Sequence, residues 1–112
     1  EAAAVRVVVR CRPFIRSEPK ECKNVVEASH ADCSIRVCDE NRGCKLNDTS
    51  SWRKFDFDSV FSKKSKQEEV YDKAVQPMIA RYLEGFNSTI FAYGQTSSGK
   101  THTMMGRKDD YD

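Results

Sequence analysis

Ser88 to Thr101 reads STIFAYGQTSSGKT, and this stretch decides what kind of fold the chain has. Its first half, Ser88 to Tyr93, is a β-branched and aromatic run of strand length that leads into Gly94. Its second half, Gly94-Gln95-Thr96-Ser97-Ser98-Gly99-Lys100-Thr101, satisfies G-x-x-x-x-G-K-[ST] at every defined position. Each defined residue has its own chemical task in such a loop. Gly94 and Gly99 permit backbone angles and close approaches that a side chain would block, so successive N–H groups can point at phosphate oxygens. Lys100 supplies a compact positive charge for the β- and γ-phosphates, and the Thr101 hydroxyl stands where it can ligate Mg²⁺. The field of the helix expected from Gly99 onward adds to the attraction. An ordinary Gly- and Ser-rich turn shares this composition. The placement after a strand pattern and before room for a helix is what a nucleotide-phosphate loop requires.

Upstream of the loop, Ser65 followed by Glu68 forms an S-x-x-E capping box. Val70, Tyr71, Ala74, Val75, Met78, Ile79, Tyr82 and Leu83 then recur at helical spacing as far as Gly85, a stop signal. A helix is predicted over 65–85. Pro77 lies inside it, and an interior proline costs about 3 kcal/mol, so a kink or a locally opened turn is expected. Phe55 to Phe61 reads FDFDSVF, where Phe55 and Phe57 alternate with Asp56 and Asp58 as in one half-exposed strand. The two aspartates on one strand face read as solvent-facing rather than as a metal pair. Val5 to Arg12 reads VRVVVRCR, a buried strand closed by Pro13. Between Phe14 and Lys54 the chain turns polar, with short apolar stretches at Val25 to Ala28 and Ser34 to Cys38, which predicts a small antiparallel lobe over about 18–54. Strand, helix, strand, glycine loop and helix make a βαβ unit. The expected class is α/β of the P-loop NTPase type: a mainly parallel central sheet with flanking helices, plus the small antiparallel β lobe.

With 112 residues, the chain suffices for one domain or a piece of one, with a modest core. Hydrophobic residues at 38% set against charged residues at 32% point to a soluble globular chain rather than a disordered tail. A formal net charge of +2 forces neither nucleic acid nor a membrane surface as partner. The short basic runs Lys63, Lys64, Lys66 and Arg107, Lys108 are followed by acidic residues and read as solvated surface. The five cysteines, Cys11, Cys22, Cys33, Cys38 and Cys44, are odd in number and lack C-x-x-C spacing, which favours free thiols over zinc ligands or disulfides. No apolar run reaches signal-peptide or membrane-span length. Cytosol or nucleus is the expected location.

Thr89 to Met104, TIFAYGQTSSGKTHTM, resembles the phosphate-loop segment of the kinesin motor family. Other segments extend the likeness. Arg10-Cys11-Arg12-Pro13 resembles that family's R-x-R-P motif and Phe57-Asp58-Ser59-Val60-Phe61 its F-D-x-V-F strand, while Gln67 to Tyr71 with Leu83-Glu84-Gly85 resembles its first helix. The pieces follow the family's order and cover most of the chain. The resemblance implies that residues 1–112 are the N-terminal part of a motor domain that holds ATP or ADP with Mg²⁺ through Gly94, Gln95, Thr96, Ser97, Ser98, Gly99, Lys100 and Thr101, Thr101 also meeting the metal. It further implies that Arg10, Arg12 and Pro13 border the adenine and that His102 stacks on its other side. Without it, Arg10 and Arg12 read as outward charges on an edge strand and His102 as a first-turn helix residue with no ligand. Microtubules, met through the parent motor domain, are the implied partner; the implied setting is the cytoplasmic cytoskeleton, with oligomerisation through a stalk outside this sequence. Neither nucleic acid nor membrane is an implied partner.

Two motifs of that family, S-S-R-S-H and D-L-A-G, do not occur here. They sense the γ-phosphate and position water and Mg²⁺, so the chain by itself is expected to hold no catalytic residue and to act neither as an ATPase nor as a motor. Uncovered apolar surface and self-association are expected too. The polar stretch from Glu18 to Lys54 is long beside family members, and no subfamily is assigned from it. Two other readings stand beside the motor: a nucleotide-binding or partner-binding fragment without turnover, and an unrelated P-loop kinase or GTPase. The second needs a guanine-specific motif or a substrate lid, and neither is visible.

Overall fold

The computed structural model describes residues 5–14 and 23–106. Cys22, the lobe residues before Lys23 and the basic pair Arg107, Lys108 lie outside the described residues. The chain divides into two compact units, Glu1–Lys64 and Ser65–Asp112.

Among its described residues the first unit is built of β-strands with two short 3-10 turns, Glu40–Arg42 and Thr49–Ser51. Strand β1 (Val8–Arg10) pairs in parallel with β5 (Ser59–Phe61), in the register Val8↔Ser59, Val9↔Val60, Arg10↔Phe61. A parallel pair needs a long crossover. Here the crossover contains the expected lobe, an antiparallel sheet of β2 (Val26–Ser29), β3 (Ser34–Val37) and β4 (Arg53–Asp56) in the order β2-β3-β4. Ile35, Cys38, Trp52, Val60 and Phe61 form the buried core, and Val60 and Phe61 are 0% exposed. Polar groups drawn into this core find partners. The Trp52 indole donates to the Lys45 carbonyl at 2.9 Å, and the His30 ring meets the Val60 carbonyl at 2.8 Å through Nδ1. Burial and a hydrogen bond with Cys44 push the Cys38 thiol up to about 11, so it stays protonated and unreactive at neutral pH. Among the described residues Cys11, Cys33, Cys38 and Cys44 are unpaired in disulfides.

Two strand expectations are corrected here. FDFDSVF is not one strand but the end of β4 and the whole of β5, which lie in different sheets. The switch occurs at one peptide: the Phe57 N–H donates to Cys33 O of the lobe at 2.9 Å, and the next amide, Asp58, donates to Val7 O beside the parallel pair at 3.1 Å. The Asp58 carboxylate in turn accepts the Val7 N–H at 2.7 Å, so it anchors β1 rather than facing only solvent. The strand expected over Val5 to Arg12 is shorter and half-buried, with Val5 and Val7 exposed, because only Val8–Arg10 finds ladder partners on β5.

The second unit holds the helices. Helix α1 (Gln67–Val70) passes through a π-helical turn (Tyr71–Val75) into α2 (Gln76–Leu83). The opened turn lies where Pro77 led us to expect it. Proline lacks an N–H and its ring crowds the carbonyl four residues back, and a π turn, in which the Gln76 N–H reaches Tyr71 O, shifts the ladder by one residue at that point. Gly85 ends the helix as predicted. It adopts φ +103°, its N–H bonds to Tyr82 O at 2.9 Å and the Phe86 N–H to Arg81 O at 3.1 Å, the Schellman arrangement. The capping box does not form. Lys66 is the N-cap and makes no side-chain cap bond, because the first helical amides, Glu69 and Val70, turn back to Lys66 O and leave Ser65 outside the helix. Of the apolar stripe, Val70 is buried while Tyr71, Ile79, Tyr82 and Leu83 are exposed.

Ser88 to Tyr93 is a further correction. It carries no ladder pairing in the structure, and Phe91 and Tyr93 are fully exposed. Strand propensity describes fit to a pleated, half-buried surface, and without a neighbouring strand it builds no strand. Beyond the loop, α3 (Lys100–Met105) starts where the motif predicted a helix. The chain is thus α/β, with a parallel strand pair, a helical unit that carries the glycine loop and a small antiparallel lobe.

Candidate functional site

The loop from Gly94 to Gly99 is folded back on itself. The Ser98 N–H donates to Gln95 O at 3.1 Å, which closes the tip into a turn. Ser97 takes a left-handed φ of +65° and Gly99 one of +102°, on either side of a Ser98 with ordinary handedness. Alternating handedness of this kind builds an amide nest for an anion. A non-glycine residue at positive φ stores backbone strain, as functional loops often do.

The two motif glycines serve different needs. At Gly99 the requirement is conformational, because it caps α3 in the left-handed region. At Gly94 it is space: an added Cβ would stand 2.5 Å from Ser98 Oγ and 3.3 Å from Ser98 Cβ. Gly99→Ala therefore has no relief through a side-chain rotation and is expected to destabilise the loop by about 1–2 kcal/mol. Faster amide exchange at Thr103, whose N–H bonds to Gly99 O at 3.0 Å, is the measurement that checks it; unchanged exchange counts against the left-handed cap.

Lys100 is the first residue of α3, and its side chain turns back across the loop, placing Nζ 2.6 Å from the Gly94 carbonyl. The loop therefore carries its positive charge over its own mouth, half-buried. Thr101 and His102 follow on the same helix and are exposed, as are Gln95, Thr96 and Ser97. The last turn of α3 is held from outside: Gln67 Nε2 donates to His102 O at 2.8 Å and lies 3.3 Å from Thr103 O. That link spans 35 positions, and no local signal in the sequence announces it.

Arg10, Arg12 and Pro13 belong to the first unit, and the loop and His102 to the second. Arg10 ends β1, half-buried, and burial lowers its pKa below the ordinary guanidinium value while leaving it charged. Arg12 and Pro13 are exposed just beyond the strand, and the Arg12 guanidinium donates to the Pro13 carbonyl at 3.2 Å. Cys11, between the arginines, has its thiol pushed up by burial, an effect that the Lys63 charge opposes. Among the described residues no group of three or more His, Cys, Asp or Glu side chains could hold a metal ion. A cation at this loop would rest on the Thr101 hydroxyl and on the anion it accompanies.

Comparison with known proteins agrees with the motif. A family model described as Kinesin motor domain matches residues 10–111. Kinesin-like protein KIF11 of Mus musculus is 44% identical over 105 residues, covering 93% of this chain and 10% of that protein. Kinesin-like protein KIN-5C of Oryza sativa subsp. japonica is 41% identical over 103 residues, covering 91% of this chain and 10% of its own length. Kinesin-like protein KIF22 of Mus musculus is 41% identical over 110 residues, covering 93% of this chain and 15% of its length. The chain thus spans about a tenth of the length of most of these relatives. Since the matched span takes in the antiparallel lobe, the helices and the whole glycine loop, the chain belongs to the kinesin motor domain family.

Proposed function

We propose that this chain is the ATP-binding part of a microtubule-based motor ATPase. One observation carries the reading: a closed glycine loop whose own lysine is turned over its mouth, with Nζ 2.6 Å from Gly94 O. In that position the ammonium needs only to exchange a carbonyl for a phosphate oxygen, a charge-assisted and stronger partner. The nest amides around Ser97 to Gly99 take the remaining phosphate oxygens. The missing Cβ at Gly94 leaves room for the Ser98 side chain, which it would otherwise meet at 2.5 Å, and so lets the loop close. Thr101 presents its exposed hydroxyl to Mg²⁺ at the start of α3. By likeness to the family, Arg10, Arg12 and Pro13 are assigned to the adenine, and so is His102, whose ring is exposed. When bound, MgATP supplies the γ-phosphoryl group for transfer to water, with the metal neutralising charge as it develops.

Hydrolysis and the grip on the microtubule belong to the whole protein. They draw on switch and track-binding segments, and S-S-R-S-H and D-L-A-G do not occur within residues 1–112. The proposed setting is the cytoplasmic microtubule cytoskeleton. The test is a calorimetric titration of the intact protein with MgATP and MgADP, repeated with Mg²⁺ chelated and with Thr101→Ala. Binding of one nucleotide is expected, strengthened about tenfold by Mg²⁺ in the unsubstituted protein and not in the variant. A protein that takes up neither nucleotide overturns the assignment.

A further inference from the structure

We propose that Gln67 is a positioning residue for the base side of the nucleotide site, acting by holding the turn of α3 that carries His102. The inference rests on the nucleotide reading above and adds a part to it. Helix α3 covers only Lys100–Met105, and the carbonyls of a helix's last turn lack intrahelical partners unless something else donates to them. The His102 carbonyl accepts the Gly106 N–H at 2.8 Å. Gln67 adds a second hold: its Nε2 sits 2.8 Å from His102 O and 3.3 Å from Thr103 O, so one primary amide with two N–H groups spans two adjacent carbonyls. The donor itself is well supported. Gln67 is the first residue of α1, half-buried, and Val70, one turn on, is buried.

The two halves of the loop region share one backbone bond, Thr103 N–H to Gly99 O at 3.0 Å, and beyond it each has a hold of its own. On the phosphate side stand the Ser98-to-Gln95 turn and the Lys100 ammonium on Gly94 O, and Gln67 is no part of either. On the base side stands the His102–Thr103 backbone, which Gln67 grips. Loss of this amide frees the turn that aims His102 while leaving the phosphate nest closed. Gln67 thus bears on ligands that carry a base, and not on bare polyphosphate.

The experiment compares MgADP with magnesium-bound inorganic triphosphate in calorimetric titrations of the intact protein. Gln67→Met keeps the length of the side chain and removes its donor. It is expected to weaken MgADP binding about tenfold, the worth of one hydrogen bond, and to leave triphosphate affinity within about twofold. In a His102→Ala background the same substitution is expected to have no further effect on MgADP. Unchanged MgADP affinity overturns the proposal. So does an equal loss for both ligands, which would make Gln67 a prop for the entire loop. If the unsubstituted protein binds neither ligand, the nucleotide reading itself falls and this inference with it. Should Gln67→Met fold poorly, Gln67→Asn with amide exchange serves instead: exchange at Gly106 should speed up while that at Ser98 holds, and equal behaviour of the two amides overturns the assignment.

Discussion

Lys100→Ala is expected to lower the affinity of the intact protein for MgATP and MgADP by about a hundredfold or more, the largest functional effect of any single substitution in this chain. The ammonium is half-buried and bonded to Gly94 O, so a bond from it to a phosphate oxygen would be both charge-assisted and partly shielded from water. Hydrogen bonds to charged groups contribute about 1.5–3 kcal/mol, and a hundredfold change in affinity corresponds to about 2.7 kcal/mol. Stability should change far less, because the variant loses only a side-chain bond to one loop carbonyl, Gly94 O. Lys100→Arg should not restore binding. A planar guanidinium has a different reach and fork geometry, and the loop is closed around a compact point charge. Calorimetry with MgADP decides the matter, and wild-type affinity in Lys100→Ala would mean that the loop does not hold phosphate.

Phe61→Ala is expected to have the largest effect on stability, a loss of about 3–5 kcal/mol. Phe61 is 0% exposed and lies where the contacts of the first unit converge. It closes the parallel pair opposite Arg10, its carbonyl accepts the Cys11 N–H at 2.8 Å, and its ring lies 5.8 Å from that of His30. His30 in turn meets Val60 O, so the hairpin between β2 and β3 is fastened to β5 at the same place. Truncation removes the ring from all these neighbours and leaves a cavity that short strands close only in part. For a domain of this size the whole stability is about 5–15 kcal/mol, so the variant should lose a large share of its folded population. Phe61→Leu, which fills most of the space, should cost much less. Urea titration with far-UV circular dichroism measures both, and a loss below about 1 kcal/mol for Phe61→Ala would show that the core lies elsewhere.

These two residues differ in how they came to light. Lys100 stands out in the sequence because a phosphate loop is built from short-range features: two glycines, one ammonium and one hydroxyl at fixed spacing, all within eight consecutive residues. Phe61 could be seen as apolar and strand-forming, but its place at the junction of the lobe and the parallel pair could not. FDFDSVF shows one unbroken alternation, and only long-range partners divide it, when the amides of Phe57 and Asp58 donate to different sheets. The same reason explains Ser88 to Tyr93, where strand composition is present and ladder pairing is not.

By itself the sequence determined whatever a few neighbouring residues can impose: the glycine loop with its lysine, the stop at Gly85, the opened turn before Pro77 and the antiparallel character of the polar lobe. Backbone handedness, ring sterics and local charge act over one or two turns and need no distant partner. Only the tertiary structure decided which strands pair, where the helix begins, that Asp58 secures β1 and that Gln67 reaches across 35 positions to the carbonyls of α3. Hydrogen-bond partners far apart in the chain are chosen by the packing of the elements that carry them, and no local pattern of residues encodes that choice.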